Sequence, residues 1–298
     1  MVLRIVPNKY IIGIGCSWTQ GEGGYPQDVV DRCNGRVQHY YRQRENDEFE
    51  IINYELENSW VNVLCRDHFP KYTPMNLGIK GIGNRAAVHQ LHFVDKIDWD
   101  NSEGIIVFML SGFERFDFFN ETPMRDDYYN DGYSDDTFAH IKWRTMWPYP
   151  TDSSEGPLWD AYAKLLWSEQ FQACEQLMAL LDLQTFCKAH NFKLVVANGF
   201  NQYHEGVINY LKQHAGTLAD KFDWSTYLHN TTTYIAFMEK LVELDGKLDN
   251  WKSYYNFYKK LPYPSEYLTN CDGAHPTIKG YKVIADELAA FIKYKGYA

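Results

Sequence analysis

Apolar residues along this chain fall into short runs that alternate with longer stretches of helical spacing. Tyr10–Gly15 is an apolar run that ends in glycine, the pattern of a buried strand feeding a turn. Tyr72–Leu77 reads as a second short strand and Phe192–Asn198 as another, and Gly104–Leu110 (GIIVFML) is apolar on both faces, as a parallel strand covered by helices should be. Between these runs, Asn58–His68, Asn84–Ile97, Leu158–His190 and Pro276–Tyr294 have helical spacing, with Asn58 or Ser59 and then Asn84 as caps. Shorter helical pieces dense in Tyr and Trp occupy 203–268. Strands alternating with helices predict an α/β fold, a three-layer α/β/α sandwich around a mostly parallel sheet. The stretch 117–156, rich in Asp, Tyr, Asn, Trp and Pro, shows no steady period and reads as an irregular insertion. No repeat or low-complexity linker divides the chain, so one domain over 1–298 is expected, with insertions near 25–55, 112–156 and 215–268.

Composition narrows the function classes. With 298 residues, 45% of them hydrophobic, the chain can bury a sizeable core. A formal net charge of −10 repels a phosphate backbone, which disfavours a nucleic-acid partner. Six cysteines without a Cys-x-x-Cys pair give no support to a zinc ribbon or a thioredoxin-like site. No run approaches the roughly 18 to 20 apolar residues of a membrane span. Pro7-Asn8-Lys9 interrupts the first apolar stretch before it has the order of a signal peptide, so a reducing, cytoplasmic setting is the default expectation. His89 and His92, three apart on a predicted helix, could share a face as metal ligands, but with no carboxylate partner expected nearby they read as residues of a surface or groove. The Asp-rich run 125–132 lacks the ligand order of a calcium loop. Neither metal nor organic cofactor is expected.

Ligand sites in parallel sheets lie outside the carboxyl ends of the strands. Glycine-bearing segments follow three of the predicted strands: Gly15-Cys16-Ser17-Trp18-Thr19-Gln20-Gly21, Asn76-Leu-Gly78-Ile-Lys-Gly81, and Ser111-Gly112-Phe113-Glu114-Arg115. Just before the last predicted helix stands Cys271-Asp272-Gly273-Ala274-His275-Pro276. An Asp and a His three apart in a loop can set a carboxylate on one imidazole nitrogen and leave the other to take a proton from a serine.

In these blocks the chain resembles the SGNH hydrolase superfamily, the GDSL-type esterases and lipases. The family's Gly-Asp-Ser block is matched by Gly15 and Ser17, with Cys16 in place of Asp and Gly21 as the following glycine. Its Asn-x-Gly-x-x-Gly block is matched by Asn76, Gly78 and Gly81, and its Asp-x-x-His block by Asp272 and His275. The resemblance implies a flavodoxin-like sheet, Ser17 as nucleophile, His275 as base, Asp272 as its orienter, and the Ser17 and Gly81 amides as oxyanion donors, with no cofactor. The third block departs from the pattern: Ser111–Arg115 lacks the Asn that completes the oxyanion hole, and Asn84, Arg115 or Asn198 would have to replace it. Trp18, with Trp143, Trp147, Trp159 and Trp224, would offer stacking platforms to a glycan ester, and an O-acetylated carbohydrate is the expected substrate. The Trp after the serine and the Arg in the third block are similar to divergent members associated with tailed bacteriophages. That likeness implies two alternatives: a virion structural or glycan-binding protein with a vestigial triad, joined to other chains through its aromatic insertions, or an acyltransferase on the same fold.

Overall fold

The computed structural model describes residues 8–33, 48–94, 97–112, 115–119, 143–146, 156–199, 207–228, 267 and 275–298. Its centre is a four-stranded, all-parallel sheet of β1 (Asn8–Gly15), β2 (Thr73–Gly78), β3 (Ser102–Leu110) and β6 (Phe192–Asn198), in the order β2-β1-β3-β6. Adjacent residues Ile11 and Ile12 point to opposite faces, as do Ile105 and Ile106, yet all four are 0% exposed. Both faces of the sheet are therefore covered, which is the burial a continuous apolar run anticipates.

Helices supply the cover. In chain order they are α1 (Ser17–Gln20), α2 (Gln27–Arg32), α3 (Glu48–Asn58), α4 (Trp60–His68), α5 (Asn84–His89), α6 (Gly156–Leu165), α7 (Glu169–Ala189), α8 (Val207–Ala215) and α9 (Ile278–Tyr294). Helix α4 packs on β1 and β2 and carries α9 against it; α7 packs on β6, α5 and α8. The apolar stripe of α9, Tyr281, Ile284, Leu288 and Ile292, is 0% exposed. Burying each such side chain contributes about 1.5 to 3 kcal/mol, so the last helix is part of the core.

Four expectations change. The helical spacing over Leu158–His190 belongs to two helices, because Leu166–Ser168 interrupts it and the Ser168 hydroxyl accepts from Phe171 N to start α7. The pattern from Asn84 is α-helical to His89 and continues as a 3-10 turn, Gln90–Phe93. Asn84 does not cap that helix. Its side chain is drawn to Ser111, and the carboxylate of Asp117 meets the helix start instead, accepting from Gly83 N and Ala86 N. Two segments within the insertion expected near 112–156 are paired: β4 (Phe116–Phe119) runs antiparallel to β5 (Trp143–Met146).

Candidate active site

All four parallel strands end at one edge, where Gly15 is in register with Gly78 and Met109, and Leu110 with Asn198. Ser17 leaves this edge on the single turn of α1 directly after β1. His275 reaches the same point from the far end of the chain, two residues before Thr277, whose hydroxyl caps α9 by accepting from Gly280 N. His275 Nε2 stands 2.9 Å from Ser17 Oγ, across 258 positions of sequence. Both residues are 7% exposed. The distance is within hydrogen-bond reach, which sets the imidazole where a base for the serine proton would stand.

The close approach of the histidine depends on Gly23. A Cβ there would lie 2.8 Å from His275 Cβ and 2.6 Å from the Pro276 carbonyl oxygen, and its φ of +94° is one that side chains rarely adopt. Between Gly21 and Gly23 sits Glu22, which sequence reasoning missed. Its Oε2 is 3.2 Å from His275 Nε2, the nitrogen that faces Ser17, and its side chain is 8% exposed. The Glu22 backbone oxygen accepts from the hydroxyl of Tyr281 on α9 at 2.7 Å. Burial foremost, then the nearby Glu22, Glu55 and Cys16, holds that phenol well above its ordinary range, so it remains a donor.

The loop after β2 is locked onto α1. Asn76 Nδ2 donates to Thr19 O and Gln20 O at 2.7 and 3.1 Å, and Gly78 N donates to Asn76 Oδ1. A side chain on Gly78 would run into the Thr19–Gln20 backbone. One residue before Gly81, Lys80 N donates to Gln20 Oε1 at 2.9 Å. The fully buried Glu55 joins these parts, accepting from Gln20 Nε2, Tyr25 Oη and Lys80 Nζ at 3.1, 2.6 and 3.1 Å. Gly81 itself has φ +74°, as a turn glycine does.

The residues expected to complete the oxyanion hole are engaged elsewhere. Asn84, 1% exposed, donates to Ser111 O and accepts from Ser111 N and Oγ, which ties the start of α5 to the end of β3. Asn198, 2% exposed, accepts from the Tyr227 hydroxyl. Arg115 Nη1 donates to Ile82 O at 2.7 Å. Trp18 is 1% exposed and belongs to the core, so it presents no ring face to a ligand. Trp224 packs on Phe222 and Tyr227, and Trp159 on Tyr162. Asp272, Trp147 and the run 125–132 lie outside the described residues, as does the side chain of Trp143. His92 does have a carboxylate partner, Asp182 at 3.4 Å. Among the described residues no cluster of three or more potential metal ligands forms, and no helix is long and apolar enough to cross a membrane.

The histidine and serine were legible as a pair because both stand in motif-like loops. Glu22 carries a weaker signal, a lone acid flanked by glycines inside the first motif. Comparison of this chain with protein-family models, with curated proteins and with solved structures finds no match.

Proposed function

We propose that this protein is a serine-dependent carboxylic ester hydrolase of the SGNH type, acting on an ester with a small acyl group, with an O-acetylated carbohydrate as the natural class. The observation that carries the reading is the buried contact of 2.9 Å between His275 Nε2 and Ser17 Oγ at the carboxyl edge of a parallel sheet. Ser17 Oγ attacks the ester carbonyl carbon as its proton passes to Nε2. That proton then goes to the leaving alcohol, and water releases the acyl group by the reverse path. In this reading Asp272 orients the histidine, and the amides of Ser17 and Gly81 hold the oxyanion. Hydrolysis of para-nitrophenyl acetate tests it: Ser17→Ala and His275→Ala are each expected to lose about 1,000-fold or more in turnover. Equal rates in all three folded proteins would defeat the proposal.

A second reading, a ligand-binding protein on the same scaffold, is favoured by one observation: Asn84 and Asn198 are engaged in the framework, with Ser111 and Tyr227. Loss of one oxyanion donor costs about 100 to 1,000-fold in turnover. A wild type that turns over no activated ester, yet binds an acetylated glycan, would support that reading.

A further inference from the structure

The triad chemistry uses His275 and Ser17 and leaves Glu22 without a task. Its Oε2, 3.2 Å from His275 Nε2, stands at the same ring nitrogen as Ser17 Oγ, the nitrogen that the group attacking the acyl-enzyme must also approach. A buried carboxylate is costly unless it is paired, and a partner of Glu22 here is the imidazole itself, which ties the acid to the site. The backbone that carries the carboxylate is also held. Tyr281 holds the Glu22 backbone oxygen at 2.7 Å, and the glycines on either side, Gly21 and Gly23, take left-handed conformations that fix the direction of the chain. A carboxylate accepts hydrogen bonds and donates none. Beside a basic nitrogen it finds a use when the approaching group carries two protons, one for each acceptor. Water has two; an alcohol has one.

We propose that Glu22 is a catalytic residue of deacylation that holds the attacking water by its second proton and so selects water over an alcohol as the acyl acceptor. The inference rests on the serine-esterase reading above and decides it in favour of a hydrolase over an acyltransferase. In the step, the water oxygen bonds to the acyl carbonyl carbon while one of its protons passes to Nε2. The other proton stays on that oxygen, hydrogen-bonded to Glu22 Oε2. The tetrahedral intermediate then collapses: the bond from carbon to Ser17 Oγ breaks, the proton on Nε2 moves to Oγ, and the free acid leaves. Glu22 gains and loses no proton. Its negative charge faces the imidazolium that exists between the two proton transfers, which favours the same step.

The test is a partition experiment with para-nitrophenyl acetate in graded methanol, using the wild type, Glu22→Leu, Glu22→Met and Ser17→Ala. Both Glu22 variants remove the acceptor without opening a hole, and thermal melts identify which of them fold. The wild type is expected to release one nitrophenolate per chain in a burst that Ser17→Ala lacks. In the Glu22 variants the burst amplitude remains even where its rate falls, and the ratio of methyl acetate to acetate rises about tenfold, the size of one charge-assisted hydrogen bond. A merely structural role would change rates and leave that ratio alone. A burst with the wild-type ratio in either folded variant overturns the role of Glu22 and leaves the esterase reading standing. No nitrophenolate release by the wild type beyond that of Ser17→Ala overturns both, and where turnover shows no burst the same product ratio is read at steady state.

Discussion

At the scale of single residues, the site depends on spacing that only glycine permits. With Gly23 at φ +94° and an added Cβ 2.8 Å from His275 Cβ, Gly23→Ala must displace either the histidine or the loop after α1. A shift of about 1 Å in a reacting group can cost about 100-fold in rate. The variant is therefore expected to lose about 10 to 100-fold in kcat/KM, with a stability cost of about 1 to 3 kcal/mol from the strained backbone. Gly216 provides the control. It too has positive φ, +54°, but nothing lies within 4 Å of an added Cβ. Gly216→Ala should show the strain in a urea melt and leave ester turnover unchanged. Equal activity in the two variants would show that Gly23 does not set the position of His275.

At the scale of elements, the β4–β5 pair fastens the loop that follows β2. Asp117 on β4 is buried and accepts from Gly83 N, Ala86 N and the Thr145 hydroxyl of β5, while Arg115 holds the Ile82 carbonyl. Burial pushes the Asp117 carboxyl up from its ordinary value of 3.8, against those hydrogen bonds and the charge of Arg115. Between 3.8 and the raised value the folded protein therefore binds more protons than the unfolded chain. Stability contributed by this group falls as pH rises through that window. Asp117→Asn removes the titration, so the stability difference between wild type and variant should narrow as pH rises above 3.8 and then level off. Urea unfolding at a series of pH values checks it, and a difference that grows with pH would contradict the sign. The four sheet strands and the motif loops were legible because each is a local pattern, a short run with apolar residues and a glycine at or within two residues of its end. Asp117, Glu55 and Glu22 were not. A buried acid has no periodicity of its own, and its meaning comes from partners far along the chain, as with Gln20 and Glu55, 35 residues apart. Asn84 was read correctly as standing at a helix start. Its role there was not legible, because Ser111, 27 residues on, claims its side chain.

At the scale of the whole molecule, the two ends of the described chain meet at the site. Ser17, Glu22 and Gly23 come from the segment after β1, while His275 and Tyr281 come from the entry to α9 and its first turns. Helix α9 is anchored far from the chemistry by Ile284, Leu288 and Ile292, each 0% exposed, and by the pairing of His68 on α4 with Asp286 at 2.8 Å. If that anchorage carries the site, then α9 cannot leave without taking His275 with it, and loss of the site and loss of the fold are one event. Leu288→Ala weakens the anchor without touching the site and should cost about 2 to 5 kcal/mol. In wild type and variant alike, the urea transition followed by far-ultraviolet circular dichroism should coincide with that followed by covalent labelling of Ser17 with an organophosphate. The variant should shift both midpoints downward together and keep wild-type labelling without urea. A labelling transition that precedes the loss of helix would mean that the histidine-bearing end undocks as a separate unit, and the site would then be governed by that local opening rather than by global stability.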